Sequence, residues 1–426
     1  MDTITAVKGF KDILPAEAGK WRFVEERVRQ VFSAFGFREI RVPIVEKTDL
    51  FRRGIGEATD IVEKEMYTFL DRGDEYLTLR PEATASVIRA YLEHTLYAAD
   101  PVAKLFTLGP MFRRERPQKG RFRQFHQIDV EVLGYDDPRI DAELLLMLIH
   151  FLKGLGLSDP QLEINSLGCP ACRPTFREAV VAFLSGREED LCPDCRRRLG
   201  SNPLRVFDCK VETCKAAIAQ APVLKEFLCG DCRAHFETVQ SSLHLFEVPF
   251  SLNFRMVRGL DYYTRTAFEV TTTHLGAQNA IVGGGRYDGL VQDLGGPDIP
   301  GIGFAIGFER LLAMMPAQDQ DFSVHPTLFI AALGREAQQF AYGLCNRLRL
   351  QGMDTEMDYT GKSLKSQLKR ADRLHCRYAL LIGERELSER KAPLRNMAGG
   401  DQTLLDLEGI ADALQNILKT RGKEIV

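Results

Sequence analysis

Apolar side chains at helical spacing form the first regular pattern along the chain. Between Gly19 and Phe35 they recur every three or four positions, and Gly36 follows where helices often end. This spacing predicts an amphipathic helix. The next segment, FREIRVPIVE, surrounds Pro43 with apolar residues, and proline cannot donate to a sheet ladder. We therefore expect a strand end or a sheet edge directly after the helix.

Short apolar runs between turn residues predict most of the strands. These strands are expected over residues 76–79, 103–108, 125–133, 162–165, 267–271 and 301–306. Longer runs with helical periodicity predict helices over residues 82–93, 142–155 and 308–315. Most of the strands follow one another without an intervening helix, which favours an α+β fold built on an antiparallel sheet of six strands.

The composition and the pattern of predicted elements change twice along the chain, which predicts an inserted segment and a separate C-terminal domain. Short helical stretches and eight of the ten cysteines fall in residues 169–245, as expected for an inserted segment. After the polar stretch PAQDQDFSVHP, strands and helices alternate, which predicts a small α/β domain with a parallel or mixed sheet. The predicted division is a main domain in two parts (1–168 and 246–316), the insertion (169–245), a linker (317–326) and a C-terminal domain (327–426).

Composition places the chain among globular proteins. It has 426 residues, of which 45% are hydrophobic and 27% charged. The longest apolar run, Leu144 to Leu152, contains His150 and is too short to span a bilayer, and the N-terminal residues lack an apolar signal segment. We expect a soluble cytoplasmic protein of two or three domains that does not enter a membrane.

The distribution of charge indicates a local contact with a polyanion. The net charge of −3 excludes a polycation that coats nucleic acid by bulk electrostatics. However, residues 113–123 hold five Arg and one Lys against one Glu. Residues 327–426 carry 16 Lys plus Arg and 13 Asp plus Glu, a net charge of +3. An ordinary solvated surface is the alternative interpretation of this C-terminal charge.

Polar residues beside the arginine-rich segment form a second candidate feature. In FHQIDVEVLG, the period of two places Gln127, Asp129 and Glu131 on one face of a strand. A solvated strand face would explain the pattern equally well, but a hairpin would bring the preceding arginines next to these acceptors. Arg310 interrupts the apolar run GFAIGFERLLAMM and needs either a ligand or a salt bridge with Glu309.

Two glycine-rich segments exclude one class of enzyme. GGGRYDG (283–289) and GIGFAIG (301–307) match neither the dinucleotide fingerprint nor the phosphate loop, so a nicotinamide-binding fold is not expected. Tight turns or close packing of strands are the ordinary explanations of such glycines.

The eight cysteines of the insertion have the spacing of zinc ligands. Three pairs are separated by two residues and the fourth is wider, and two pairs can supply one tetrahedral site. In a cytosolic chain disulfides are disfavoured. One or two structural zinc ions are therefore predicted, with buried reduced thiols as the alternative, and the spacing leaves open which pairs share a metal. The candidate ligands are Cys169, Cys172, Cys192, Cys195, Cys209, Cys214, Cys229 and Cys232.

Together these segments resemble the class II aminoacyl-tRNA synthetases. The first helix with REIRVPIVE resembles the first class motif, a dimer element, and MFRRERPQKGRFRQFHQIDVEVLG resembles the second. GIGFAIGFERL resembles the third, a strand and helix with an ATP-binding arginine. RGLDYYT (258–264), GGGRYDGL (283–290) and RPEAT (80–84) are similar to signatures of the histidine enzymes within the class. The resemblance covers essentially the whole chain, including a C-terminal domain similar to the anticodon-binding domain of this subgroup.

The resemblance implies ATP-dependent activation of L-histidine and its transfer to the 3′ end of histidine tRNA by a homodimer, with magnesium bound through ATP. It implies Arg113 and Arg258 as catalytic residues, and Gly283 to Gly285 as a turn that helps Tyr262 to shape the pocket wall. The implied histidine-binding residues are Glu82, Thr84 and Gln127 at the α-amino group, Glu131 and Tyr263 at the imidazole, and Tyr262, Arg113 and Arg258. The implied ATP-binding residues are Arg113, Glu115, Arg121 and Arg310, and those near the tRNA acceptor end are Arg116, Gln118 and Lys119.

Two other functions are compatible with parts of the sequence. A synthetase-like regulatory subunit of histidine biosynthesis would share much of the fold, but such subunits usually lack the C-terminal domain and have a degenerate RGLDYY segment. Both are intact here. A zinc-dependent RNA-binding module without catalysis would explain the cysteines and arginines, but not the substrate-side motifs.

Overall fold

The computed structural model describes residues 3–57, 59–117, 120–157, 159–272, 280–316, 322–323 and 325–420. The chain folds as two units, Met1–Asp321 and Phe322–Val426. The predicted linker 317–326 lies at this division, and most of it falls outside the described residues.

Two mainly antiparallel sheets organise the first unit. Its strands are β1 (Arg38–Glu39), β2 (Val45–Lys47), β3 (Tyr67–Leu70), β4 (Tyr76–Leu79), β5 (Ala103–Phe112), β6 (Gln124–Leu133), β7 (Gln161–Ser166), β8 (Ser251–Leu252), β9 (Thr264–Thr271), β10 (Ala280–Arg286) and β11 (Gly301–Gly307). The large sheet has the order β1-β5-β6-β11-β10-β9-β7-β8, and β2-β4-β3 form a small sheet.

The six central strands of the large sheet are antiparallel to their neighbours within this group, as the sequence predicts. Five of them were predicted as strands; the sixth predicted strand, residues 76–79, is β4 of the small sheet, and β10 takes its place. The predicted count of six is too low for the large sheet, because β1 and β8 add parallel partners at the two edges. Each edge strand is two residues long, which is too short to show a period of two in the sequence.

Helices cover the large sheet and connect its strands. They are α1 (Pro15–Ala34), α2 (Thr48–Ile55), α3 (Thr84–Glu93), α4 (Leu96–Ala99), α5 (Pro138–Gly154), α6 (Arg173–Ser185), α7 (Pro193–Ser201), α8 (Glu212–Ile218), α9 (Gly230–Leu245), α10 (Leu290–Asp293) and α11 (Phe308–Met314). A π-helical turn spans Ile61–Glu65, and 3₁₀ turns span Glu188–Asp190, Pro203–Asp208 and Leu224–Phe227.

The main core lies between the large sheet and helices α1 and α5. Phe32 of α1 contacts Phe151 of α5 and Phe304 of β11 edge to face, with ring centroids 5.3 and 6.3 Å apart. Helix α5 begins where Asp137 accepts a 2.9 Å hydrogen bond from the Arg139 N–H, with Pro138 as its first residue. This packing occupies one sheet face and leaves the opposite face for other side chains.

The predicted insertion is a group of short helices, α6 to α9, around a small core of its own. Phe176, Val180, Leu184 and Val206 are buried there together with four of the cysteines. Helix α9 returns the chain to the large sheet and packs against α5. A separate small core is consistent with the change to short helical stretches rich in cysteine between Cys169 and Cys232.

The second unit is the expected small α/β domain. Its elements are β12 (Leu328–Ala332), β13 (Thr355–Met357), β14 (Tyr378–Ile382), β15 (Lys391–Asn396), β16 (Gln402–Asp406), α12 (Arg335–Leu350), α13 (Leu364–Arg373), α14 (Glu384–Glu389) and α15 (Ile410–Thr420). The sheet order is β13-β12-β14-β15-β16. The first three of these are parallel and the last two antiparallel, so the sheet is mixed.

Among the described residues, no helix is both long enough and apolar enough to cross a bilayer.

Candidate active site

A cavity of about 300 Å³ lies over the face of the large sheet opposite α1 and α5. It brings together residues that the sequence spreads over more than two hundred positions. The predicted site residues that line it are Glu82, Thr84, Arg113, Glu115, Arg121, Gln127, Arg258, Tyr262, Tyr263 and Arg310.

Gln127 and Asp129, on the polar face of β6, line the floor of the cavity, whereas Glu131, which continues this face, is not among the lining residues. Asp129 and Glu131 are each only 1% exposed, so the alternative of a solvated strand face is wrong. Glu131 Oε2 accepts a hydrogen bond from the Tyr287 hydroxyl, whereas Gln127 Oε1, Asp129 Oδ2 and Glu131 Oε1 have no hydrogen-bond partner among the described residues. Buried polar atoms are normally paired, so these three acceptors indicate a site for a ligand that donates hydrogen bonds.

Glycines give the polar side chains room on this floor. A Cβ at Gly303 would lie 2.0 Å from Glu131 Oε2, and one at Gly283 would lie 2.0 Å from Arg258 Nη2. The prediction of a turn at Gly283 to Gly285 is wrong, because these residues lie within strand β10. Close packing explains the GGG run, since strand β10 has neighbours on both sides.

The buried carboxyl groups of Glu82, Asp129 and Glu131 are costly to ionise without a cation. Burial and the neighbouring Glu82 raise the pKa of Asp129 well above its ordinary value, and burial likewise raises that of Glu131. Burial also raises the pKa of Glu82, although its carboxylate accepts 2.9 Å hydrogen bonds from the Thr84 and Ala85 N–H groups. An ammonium or N–H group in the cavity would stabilise the ionised forms.

Arg258 lies at the rim of the floor, in a loop between β8 and β9. Its guanidinium pairs with Glu269 and lies 5.5 Å from the ring centroid of Tyr263. The sequence offers Asp261 and Glu269 as ion-pair partners that would explain Arg258 by support of the fold alone, and the structure shows the pairing with Glu269. However, Arg258 Nε is buried and has no hydrogen-bond partner among the described residues, which leaves it a donor for a ligand.

Three arginines meet at the other end of the cavity, where the hairpin of β5 and β6 approaches α11. Arg113 donates to the Pro81 carbonyl at 2.9 Å, Arg121 to Glu115 at 2.7 Å, and Arg310 to the Ala280 carbonyl at 2.7 Å. Burial, and next the positive charge of Arg121, lower the pKa of Arg310. An anion bound here would stabilise the charged form of Arg310 and would offset both its burial and its repulsion by Arg121.

Glu309 does not form the salt bridge with Arg310 that was one of the two explanations of this arginine, because it is bonded to His126 instead. Its carboxylate accepts hydrogen bonds of 2.9 and 3.0 Å from the backbone N–H of His126, and one of its oxygens lies 2.9 Å from His126 Nδ1.

Of the residues predicted near the tRNA acceptor end, Arg116 is exposed in the loop between β5 and β6. Gln118 and Lys119 lie outside the described residues.

Two residues of the site had no predicted role. Asp129 belongs to the β6 face by its period of two, and nothing in the sequence marked Tyr287 as the partner of Glu131, 156 residues away along the chain. Glu269, by contrast, is only 11 residues from Arg258 and is one of the two acidic partners that the sequence offers it.

The eight cysteines of the insertion fall into two groups of four. Cys169, Cys172, Cys229 and Cys232 form the first group, and Cys192, Cys195, Cys209 and Cys214 form the second. Within each group the sulfur atoms lie within 4.8 Å of one another. A hydrogen bond from the Cys195 N–H is the main cause that lowers the pKa of Cys192 to about 7.

Models of two known families match the chain. The first, described as histidyl-tRNA synthetase, matches residues 9–170 and 193–311. The second, described as an anticodon binding domain, matches residues 327–417. Together they cover parts of both units of the fold.

Individual proteins and solved structures are similar over nearly the full length. The histidine–tRNA ligase of Trichlorobacter lovleyi is 58% identical, covering 95% of this chain and 96% of its own. That of Geobacter sulfurreducens is 56% identical, covering 95% and 97%. The apo histidyl-tRNA synthetase of S. aureus superposes with a TM-score of 0.82 at 36% identity, covering 96% of this chain and 99% of its own.

Proposed function

The chain belongs to the histidyl-tRNA synthetase family, and from this premise we propose how its residues carry out the reaction. The protein is a histidine–tRNA ligase that aminoacylates tRNA with histidine. The reaction consumes ATP with magnesium, as in the class II synthetases generally. The assignments that follow concern the individual side chains, the metal of the insertion and the assembly.

We assign the β6 end of the cavity to histidine. The observation that carries this assignment is the pair of unpartnered buried acceptors, Gln127 Oε1 and Asp129 Oδ2, beside Glu82 and Thr84. The α-ammonium group of the substrate supplies three N–H donors and a positive charge. It would therefore satisfy the acceptors and stabilise ionised carboxylates that are buried.

Glu131 and Tyr263 are assigned to the two imidazole nitrogens. A neutral imidazole has one donor and one acceptor nitrogen, so a carboxylate and a phenolic hydroxyl together can contact both. Tyr287 donates to Glu131 and would fix its orientation, while Tyr262 forms part of the wall. An amino acid that cannot pair with these buried groups would bind with a large penalty.

We assign the arginine end of the cavity to ATP. Arg113 and Arg310 would bind the phosphates, with Arg121 and Glu115 beside them, and Arg258 would contact the α-phosphate and the substrate carboxylate. That carboxylate attacks the α-phosphorus and pyrophosphate leaves, so no nucleophilic side chain is needed. Positioning and stabilisation of charge by fixed guanidinium groups carry the step. Magnesium, bound mainly through the phosphates, would neutralise part of their charge.

The second step and the assembly complete the proposal. A hydroxyl group at the 3′ end of histidine tRNA attacks the carbonyl of the adenylate, and AMP leaves. Arg116, Gln118 and Lys119 are assigned to the acceptor end. We propose a cytoplasmic homodimer. The large apolar side chains Val45, Phe69, Leu70 and Tyr76, all exposed on the small sheet, support the presence of a partner surface.

We further propose that each cysteine group holds one structural zinc ion. Four thiols within 4.8 Å of one another fit a closed tetrahedral site, which is typical of structural rather than catalytic zinc. Each group joins distant parts of the insertion, so a bound ion would fix its short helices around a core that is small for its length.

Histidine-dependent exchange of pyrophosphate into ATP tests the activation step. Purified full-length protein should catalyse exchange with histidine and not with the other amino acids, and it should charge tRNA with histidine. Absence of exchange would support the regulatory-subunit alternative. A solved structure from Bacillus halodurans, described as an ATP phosphoribosyltransferase regulatory subunit/histidyl-tRNA synthetase, has a TM-score of 0.65 at 18% identity over 90% of this chain and 98% of its own. This likeness indicates the fold alone.

A further inference from the structure

Side chains of the insertion form hydrogen bonds to the loop that carries Arg258, Tyr262 and Tyr263. We define the Arg258 loop as residues 256–263. Arg205 donates a 2.9 Å hydrogen bond to the carbonyl oxygen of Arg258, Arg173 donates to the carbonyl oxygen of Tyr263, and Asn202 donates at 3.2 Å to Asp261. Three polar side chains of the insertion thus bind three points of one loop.

Part of the space between the loop and the insertion is open. A cavity of about 940 Å³ lies between them, lined by residues of both, including Phe207, Leu224 and Val257. On the sheet side, Asn165 of β7 donates at 2.9 Å to the Met256 carbonyl, at the very start of the loop. The three polar contacts therefore cross a gap that apolar packing does not fill.

The three donor side chains lie on the same chain segments as the cysteines of the two groups. Arg173 directly follows Cys172 of the first group. Asn202 and Arg205 lie between Cys195 and Cys209 of the second group. Arg205 also forms an ion pair within the insertion, because its Nη1 lies 3.3 Å from the carboxylate of Asp208, the residue before Cys209. This pair fixes the position of the Arg205 side chain.

We propose that Arg173 and Arg205 are positioning residues, and that the two cysteine groups, with zinc bound, fix the Arg258 loop through them. Arg205 holds the backbone of Arg258, and Arg173 holds that of Tyr263, while neither touches the cavity assigned to the substrates. The inference rests on the proposed function of Arg258 and Tyr263. It gives the insertion an indirect part in forming the adenylate, through the position of the Arg258 loop.

The expected effect is large because the loop places reacting groups. Misplacing such groups by about 1 Å can reduce the rate about 100-fold. ATP should still bind, since Arg113, Arg121 and Arg310 lie on other elements. Loss of the Arg205 contact should therefore lower kcat and raise the KM for histidine, with little change in the KM for ATP.

The first experiment compares Arg205→Gln, Arg205→Lys and Arg197→Gln in pyrophosphate exchange. Arg197 is exposed on α7 and pairs with Asp194, so its variant is a matched control within the insertion. Rates are divided by the concentration of active sites, measured from the burst of adenylate, which removes any loss from misfolding. We expect a 10- to 100-fold lower kcat for Arg205→Gln, partial recovery for Arg205→Lys, and wild-type rates for Arg197→Gln. A wild-type kcat for Arg205→Gln overturns the positioning role.

The second experiment tests the link to the metal. Zinc is removed from the purified protein with a chelator, the released ion is measured with a chromogenic indicator, and far-UV circular dichroism reports the remaining helices. We expect exchange activity to fall in proportion to zinc released and to return when zinc is restored. Full activity after both ions have left, or no zinc in protein purified without chelator, overturns the metal part of the inference.

These outcomes differ from failure of the proposed function. If the wild-type protein gives no histidine-dependent exchange, the assignment of the whole cavity is wrong. If the wild type is active and only the Arg205 variants behave like the control, the cavity assignment stands and the positioning role alone is overturned.

Discussion

At the scale of single residues, the site depends on the absence of side chains at two positions. Gly283 and Gly303 lie directly under Arg258 and Glu131, where a methyl group would come within 2.0 Å of a polar atom of each. At Gly283 the group displaced is the end of a flexible side chain, whereas at Gly284 it would include the backbone oxygen of Gly303 at 2.3 Å. Neighbouring glycines thus have different functions in one strand.

We predict that Gly283→Ala leaves the fold intact and impairs catalysis. The guanidinium of Arg258 can move away from the new methyl group at small cost, but it then leaves the position proposed for the α-phosphate. We expect a fall of about 100-fold in the rate of adenylate formation and a nearly unchanged melting temperature. Gly289→Ala is the control, because its nearest neighbouring atom would be 4.0 Å away. Equal rates for the two variants would contradict the prediction.

Asp129 gives a prediction for the dependence of stability on pH. Its folded pKa is raised, chiefly by burial, so the folded state holds its proton more tightly than the unfolded chain. Stability is therefore lost as pH rises from the ordinary value, about 4, through the raised one. Asp129→Asn lacks this titration, so its melting temperature should exceed that of the wild type more at pH 8 than at pH 5, although histidine binding is weakened.

Asp137 is the control for that measurement. Hydrogen bonds from Arg139 lower the pKa of Asp137 to about 2, so it contributes stability above pH 4 that is lost only in stronger acid. The difference in melting temperature between Asp137→Asn and the wild type should not change between pH 5 and pH 8. A constant difference for Asp129→Asn as well would show that Asp129 does not titrate in this range.

At the scale of the elements, a buried ion pair joins β10 to α5. Arg286 and Asp141 are both fully buried, and Arg286 Nε lies 2.9 and 3.1 Å from the two carboxylate oxygens. Arg286 also donates to Asp288 and to the Tyr135 carbonyl, each at 3.0 Å. The guanidinium thus connects the strand of the GGGRYDG segment to the helix behind the sheet.

Removing one partner of this pair should destabilise the first unit strongly. Arg286→Met leaves a buried carboxylate without its cation, which costs about 3 to 5 kcal/mol of unfolding free energy. The measurement is denaturation by urea followed by fluorescence of Trp21, the only tryptophan, which stacks on Phe308 in this unit. Arg139→Met, which breaks the exposed pair with Asp137, should change the midpoint little. A shift no larger than that of the control would contradict the prediction.

At the scale of the whole molecule, the site residues that the structure describes all belong to the first unit, whereas the anticodon-binding domain match falls in the second. We predict that deleting residues from Thr327 onward leaves histidine-dependent pyrophosphate exchange within about tenfold of wild type. Transfer of histidine to tRNA should fall by a much larger factor, because phosphate contacts supply much of the affinity for nucleic acid. Unchanged aminoacylation kinetics in a folded truncated chain would refute the proposed role of the second unit.

The sequence determined the features that depend on neighbouring residues. The period of two placed Gln127, Asp129 and Glu131 on one strand face, and helical spacing located α1, α5 and α11. The order of strands and helices was enough to distinguish the antiparallel first unit from the α/β second unit. These features follow from backbone geometry, which repeats over two to four residues and is therefore visible in a short window.

Only the tertiary structure decided which distant segments meet. The GGG run suits a turn or a crowded strand equally, and its neighbours on both sides made it a strand. Four cysteine pairs can be combined in several ways, and the return of the chain through α9 selected one. The contacts of Arg173 and Arg205 with the Arg258 loop had no local signal, because each joins segments more than fifty residues apart. Such proximity depends on the packing of the whole unit, which the periodicity of a short segment does not contain.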